Sequence, residues 1–572
     1  MTRKTLITCT LALLLSALVA AAAPRLVDYR GGTGSVIING ITASTLYAGY
    51  WTPPSEVLLP EAEGGLRIAE WDHQQTTFAW MYDTTTHRAE ILAEWGRLKT
   101  EWDTASEKYS GAFTNSYYVD WATGDDSTGD GSSGNKWKTI HKAVTYIKSN
   151  HVDGSNLLDA ATEVIVSAGV QYIEANSSDA GTDAPPGGFA TISVYNITGT
   201  AAKPLVIRGA SGDAADVILR IAHSYSEANF TIMSEAKDYK LDCGIKIREA
   251  SDYIQIWDMT MVGPMFELPY WDKWGDAISV HTDNYSGAGH NKIINCEITQ
   301  WSHCGVKGKG LSAYGNYVHG NGVNNSYNDH GFYVSDALGG EEIIGNIIMN
   351  SDALAIVCRE ANEAEDIKIV GNIIVHNGGN GIHVGAVGML IAHNYFEEWA
   401  VGAINMGGES RLPVVKNNVF GSNDTIAYSS TLTYVRAAGF VFDDNAKLAA
   451  RAAPSQSIPL NVHPGVGVAM SFKSNIRQAN GHIYSAFSPS SFTSGATVPT
   501  QTDGSTVSDG AGDWTDMGTT TETWGDWVNF AWADDLNDHT GFDHRPATGS
   551  ALLSAGTDIG YGTTIGPFSS AP

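Results

Sequence analysis

The feature that most limits how this chain can fold is a repeat. Short segments recur as INCEI (294–298), GNYVH (315–319), GNIIM (345–349), GNIIV (371–375), HNYFE (393–397) and NNVFG (417–421). Aligned, they carry Cys296, Asn316, Asn346, Asn372, Asn394 and Asn418, separated by 20, 30, 26, 22 and 24 positions. A second series keeps step: CGIKIR (243–248), DAISVH (276–281), CGVKGK (304–309), HGFYVS (330–335), LAIVCR (354–359), NGIHVG (380–385) and GAINMG (402–407). In that series the third and fifth residues are mostly apolar and the fourth and sixth mostly are not. This is the alternation of a strand with one face inward. Short strands in such a repeat, with Gly and Asn at the corners, predict a parallel β-coil. One asparagine per turn can satisfy backbone groups at a bend and stack amide on amide along the axis. A leucine-rich repeat would need a Leu/Asn signature that is absent. A β-sandwich would not keep two motifs in register over six turns.

The chain divides into a leader at 1–22, an N-terminal extension at 23–115, the coil at 116–460, and C-terminal rungs and wrapping loops at 461–572. The leader has a basic MTRK, an apolar LITCTLALLLSALVA and small residues before Pro24, the pattern of a cleaved export signal. A secreted protein is therefore expected. In the extension, TTHRAEILAEWGRLKTEWDTAS (85–106) predicts a helix whose Ile91, Trp95, Leu98 and Trp102 pack onto the coil. At the coil entrance, Ile140, Val144 and Ile147 share one face of a second helix, suited to capping strand edges that would otherwise be open.

The passage YYVDWATGDDSTGDGSSGNKWKTIHKAVTYIKS (117–149), the Gly-Asn rungs, HGFYVS and the late HRPATGSALLSAGTDIG (544–560) together resemble the pectate-lyase-like superfamily. The resemblance covers about residues 117–560. It implies an all-β fold, a right-handed single-stranded parallel β-helix with an N-terminal capping helix. It also implies chemistry on polysaccharides, often by β-elimination.

Charge sets the class of partner. The chain has 34 Lys+Arg against 62 Asp+Glu, a formal charge of −28, which disfavours nucleic acid. No run after the leader is long and apolar enough to span a bilayer, and a monomer is expected. After cleavage Cys243, Cys296, Cys304 and Cys358 remain, and their spacing suggests buried free thiols rather than a disulfide scaffold or a zinc site. No cofactor is certain from the sequence, and Ca2+ is the candidate. The acidic run EANEAED (360–366) could take a hard cation such as calcium, although a solvated loop is the plainer reading.

Against this acidity, one face of the second series is basic. Its first outward column reads Lys246, Ser279, Lys307, Tyr333, Val357, His383, Asn405; its second reads Arg248, His281, Lys309, Ser335, Arg359, Gly385, Gly407. Five cations and no acid occupy these positions, a groove suited to an acidic polysaccharide. Under the lyase reading Lys307 is the base, Tyr333 or His330 the acid, and Arg359 the partner of the substrate carboxylate. Lys246, Arg248, His281, Lys309 and His383 line the binding face. Related alginate and chondroitin lyases set Lys and Arg on neighbouring rungs, whereas here a Tyr rung lies between Lys307 and Arg359. The alternatives are a polygalacturonase-like hydrolase using Asp276 and Asp329, a uronate epimerase, and a non-catalytic carbohydrate-binding surface protein.

Overall fold

The computed structural model describes residues 86–173, 192–221, 244–263 and 275–281, most of 290–420, and shorter pieces on either side. The chain divides into two units, Met1–Arg88 with Phe266–Tyr270, and Ala89–Met265 with Trp271–Pro572. In the first, the described strands are one antiparallel pair, Ile37–Ile38 with Ile41–Thr42. The leader and the acidic residues 360–365 lie outside the described residues.

The second unit is a parallel β-helix. Its described strands form three all-parallel sheets of 12, 10 and 12 strands, besides one short antiparallel pair. Each turn places one strand in each sheet. Ile278–His281, Asn291–Ile294 and Glu297–Thr299 make one such turn, and Val306–Gly308 opens the next. Inward residues stack in register from turn to turn: Ile245, Ile278, Val306, Phe332, Ile356, Ile382 and Ile404, each at most 1% exposed. Each such side chain contributes roughly 1.5–3 kcal/mol by leaving water.

The Gly-Asn rungs form one corner. Asn316, Asn346, Asn372, Asn394 and Asn418 are fully buried. Each of the first four donates its amide to the next one's Oδ1, at 3.0, 2.9, 2.9 and 3.0 Å. Cys296 ends the ladder, its backbone N–H donating to Asn316 Oδ1 at 2.9 Å. The preceding residues, Asn295, Gly315, Gly345, Gly371, His393 and Asn417, all have φ between 54° and 67°. This left-handed backbone makes the bend and explains the Gly, Asn and His found there.

The two helices fall where the sequence places them. α1, Thr86–Glu101, buries Ile91, Trp95 and Leu98, and Trp95 Nε1 donates to the Gly315 carbonyl at 2.6 Å. A Cβ on Gly371 would overlap the Trp102 indole, so that corner must be glycine for the segment after α1 to lie so close. α2, Ile140–Asn150, has Thr139 as its N-cap, accepting from the Lys142 N–H, and packs Ile140, Ala143, Val144 and Ile147 into the end of the core. The C-terminal segment runs back over the coil: Trp102 Nε1 donates to the Pro567 carbonyl at 3.0 Å, and Glu94 accepts from both His544 N and Nδ1.

Cys296, Cys304 and Cys358 are buried free thiols, and burial pushes Cys296 up to about 12. Cys243 lies outside the described residues. No described helix is long and apolar enough to cross a membrane.

Candidate functional site

The basic columns stand on the 10-stranded sheet. Lys246 pairs in register with Ser279, Ser279 with Lys307, Lys307 with Tyr333, Tyr333 with Val357, Val357 with His383 and His383 with Asn405. Lys246 and Lys307 are therefore two rungs apart, roughly 10 Å at the usual strand spacing. The Cys-Gly before each pair has a local cause. Gly244, Ala277, Gly305, Gly331, Ala355, Gly381 and Ala403 form the column just ahead of these strands. A Cβ on Gly244, Gly305, Gly331 or Gly381 would stand 2.6–2.8 Å from the carbonyl oxygen of the next rung. Small residues let the turns close at the strand entrance, and the Lys positions two residues later then face outward.

The face is less open than a plain outward column predicts. Ser279 and Val357 are fully buried and Asn405 is 4% exposed, while Lys246, Lys307, Tyr333 and His383 are half-buried. Lys309 departs from the expected second column. The strand ends at Gly308, whose φ of 142° turns the chain, and Lys309 takes no place in the ladder beside His281. Arg248 does pair with His281, and Ser335 with Arg359. For His281 and Arg359 the backbone is described and the side chain is not.

Lys307 and Tyr333 meet. The Lys307 ammonium lies 5.4 Å from the centre of the Tyr333 ring, and the His330 ring stacks on Tyr333 at 5.3 Å with an interplanar angle of 15°. His330 is 1% exposed. It backs the tyrosine ring and is not open to a polymer on this face.

Behind the column lies a buried ion pair. His303 Nδ1 and Asp276 Oδ1 are 2.6 Å apart, and the Cys304 N–H donates to the same oxygen at 3.2 Å. Burial alone would neutralise Asp276, but the charge of His303 and its hydrogen bond, with Lys307 beyond, hold it down at about 2. Burial likewise opposes a charge on His303, yet the Cys304 sulfur and the Asp276 carboxylate hold it up at about 10. An aspartate so tightly held stays ionised near neutral pH. Asp329, its suggested companion, lies outside the described residues. Asp276, His303 and Cys304 offer ligand atoms within 4.8 Å of one another. His303 Nδ1 is engaged by Asp276 while Nε2 faces Cys304 Sγ at 4.0 Å, so the ring turns different nitrogens to the two partners.

The sequence reading missed the rung before Lys246. Ser193 pairs with Lys246 and Tyr195 with Arg248. The segment TISVYN (191–196) shows the same alternation, Ile192 and Val194 inward, and could have been aligned by it.

The strand pairing of this chain defines its class, a parallel β-helix in a single chain. No known protein family matches its sequence, and no curated protein does. Among proteins of known structure it is similar to pectate lyase Pel9A, at 13% identity over 82% of this chain and 99% of that one, with a TM-score of 0.44. It is also similar to the A-module of the Azotobacter vinelandii mannuronan C-5 epimerase AlgE4, at 13% identity over 67% and 100% of the two chains and a TM-score of 0.39. A rhamnogalacturonan lyase aligns at 12% identity over 59% and 83%, with a TM-score of 0.35.

Proposed function

We propose that this chain is an exported polysaccharide lyase that cleaves a uronate-containing polymer by β-elimination. The observation that carries the reading is the register contact of Lys307 with Tyr333, an amine and a phenol side by side on a cationic sheet face. Lys307, in its amine form, takes the C5 proton. The electron pair forms the C4–C5 double bond and expels O4, and the Tyr333 hydroxyl protonates that oxygen. Arg359 offsets the charge that builds on the C6 carboxylate as C5 loses its proton, and Lys246, two rungs from Lys307 on the other side, holds a neighbouring part of the polymer. His330, stacked on the ring, fixes the plane of Tyr333. The buried Asp276–His303 pair supports the backbone from which Lys307 projects.

The test is a panel of acidic polysaccharides incubated with the purified protein, followed by the ultraviolet absorbance of unsaturated uronate ends. Absorbance that rises with time on at least one polymer is expected. New reducing ends without that absorbance would replace elimination by hydrolysis. Binding with neither would leave a carbohydrate-binding surface protein.

A further inference from the structure

Several cations described in this acidic chain are matched to a carboxylate. Lys108 meets Asp258, Lys136 meets Asp120, Arg208 meets Glu163, Lys292 meets Glu107, and Lys368 meets Glu342. Lys148 and Arg248 differ: among the described residues neither has an acidic partner within ion-pair distance. Both converge on Tyr195 instead. The Lys148 ammonium, from the last turn of α2, sits 2.7 Å from the centre of the Tyr195 ring, and the Arg248 guanidinium carbon lies 5.5 Å from it. Arg248 is the register partner of Tyr195 on the next rung. Its Nε is buried with no hydrogen-bond partner among the described residues.

A ring face attracts a cation through its quadrupole but carries no net charge. It holds Lys148 and Arg248 in place without neutralising them or occupying their N–H donors. The Nε is covered, but Arg248 as a whole is only half-buried, so its terminal N–H groups can meet a carboxylate or sulfate entering beside Lys148, an acceptor that guanidinium favours. The Tyr195 rung lies three rungs from that of Lys307, roughly 14 Å along the axis, so one chain of several sugars could touch both.

We propose that Lys148, Tyr195 and Arg248 form a separate anion-binding subsite at the capped end of the sheet, taking the carboxylate or sulfate of an acidic sugar in the same polymer. The inference rests on reading this face as a polyanion groove, and not on elimination. It also gives α2 a second role, since the helix that closes the core supplies one of the two cations.

The experiment is calorimetric titration of the full chain with short and long oligosaccharides of galacturonate, alginate and chondroitin sulfate. The first two kinds carry carboxylates only, and the last adds sulfate. Lys148→Ala and Tyr195→Leu should each weaken a long oligomer roughly tenfold and reduce its salt dependence. A short oligomer, seated near Lys307, should bind as to the parent. Tyr195→Phe keeps the quadrupole and should match the parent, which separates the ring's electrostatics from a folding defect. Long oligomers bound equally by parent, Lys148→Ala and Tyr195→Leu would overturn the subsite, as would absence of binding by every oligomer tested. Length-dependent binding sensitive to Lys148, without unsaturated products from any polymer, would refute the lyase and leave the subsite standing.

Discussion

The Asn372 amide donates to Asn394 Oδ1 at 2.9 Å, and that same oxygen accepts the backbone N–H of Asn372 at 2.9 Å. One side chain thus closes a ring with the turn before it, and the arrangement repeats along the column.

Asn372→Leu should destabilise the coil by about 3 kcal/mol, because several buried groups lose partners at once and each costs ~1–3 kcal/mol. Asn346 Nδ2 and N lose their acceptor, and the Ile343 carbonyl loses the donor now 2.8 Å away. Urea unfolding measures it. A loss under ~0.5 kcal/mol, the range of ordinary surface changes, would mean that the ladder is decorative.

Gly371→Ala and Gly388→Ala make a matched pair, since both glycines have φ of 67°. At Gly388 the nearest atom to an added Cβ is Asp366 N at 3.6 Å, so only the backbone penalty of ~1–2 kcal/mol applies. At Gly371 the methyl group displaces Trp102. Gly371→Ala should lose at least ~1 kcal/mol more than Gly388→Ala and shift the tryptophan emission. Equal losses would show that the indole does not press on that corner.

His303 and Asp276 give a pH signature. His303, raised to about 10 in the folded chain, stabilises fully below its ordinary value near 6.5 and loses that contribution as pH climbs toward 10. Asp276, lowered to about 2, stabilises above its ordinary value near 3.8 and loses that contribution as pH falls toward 2. The stability gap between parent and His303→Gln should therefore be widest from about pH 4 to 6.5 and narrow on both sides. A gap that grows through pH 8 to 10 would contradict a charged imidazole.

His393 should act in the opposite sense. Burial lowers it to about 4, so it is neutral beneath Trp102 and Tyr561, and it carries hydrogen bonds to the Gly566 and Thr564 backbone. The unfolded chain gains a proton first as pH falls below about 6.5, which removes up to ~3 kcal/mol by pH 4. His393→Gln should flatten that limb. An unchanged acid limb would place the sensitivity elsewhere.

For the proposed chemistry, Lys307→Ala should reduce elimination by ~100-fold or more while Lys246→Ala mainly raises KM, because a group acting only in the transition state lowers kcat. Tyr333→Phe should also lower kcat. Steady-state kinetics on the best polymer decides, and a Lys307→Ala variant with parental kcat would remove that residue from the mechanism.

Much of the coil was legible because it repeats. The Asn ladder, the Lys246–Ser279–Lys307–Tyr333 register and the apolar faces of α1 and α2 all follow from spacing alone. Spacing does not report where a strand stops, so it aligns Lys309 with a column that the chain leaves at Gly308. It does not report what lies over a face, so it leaves the burial of Ser279 and His330 unseen. Tyr195 and Lys148 come together from a strand and a helix with no shared motif, and only the folded chain brings them into contact.

The bond from Trp102 to the Pro567 carbonyl joins residues 465 positions apart. Turns of a coil contact their neighbours and can stack as they emerge, so most of the protein can fold while it is still being synthesised. The seam between α1 and the C-terminal segment cannot. Trp102 leaves the ribosome early and must wait for a segment 465 residues later. A chain cut before Pro567 would keep its turns and lose its fastening.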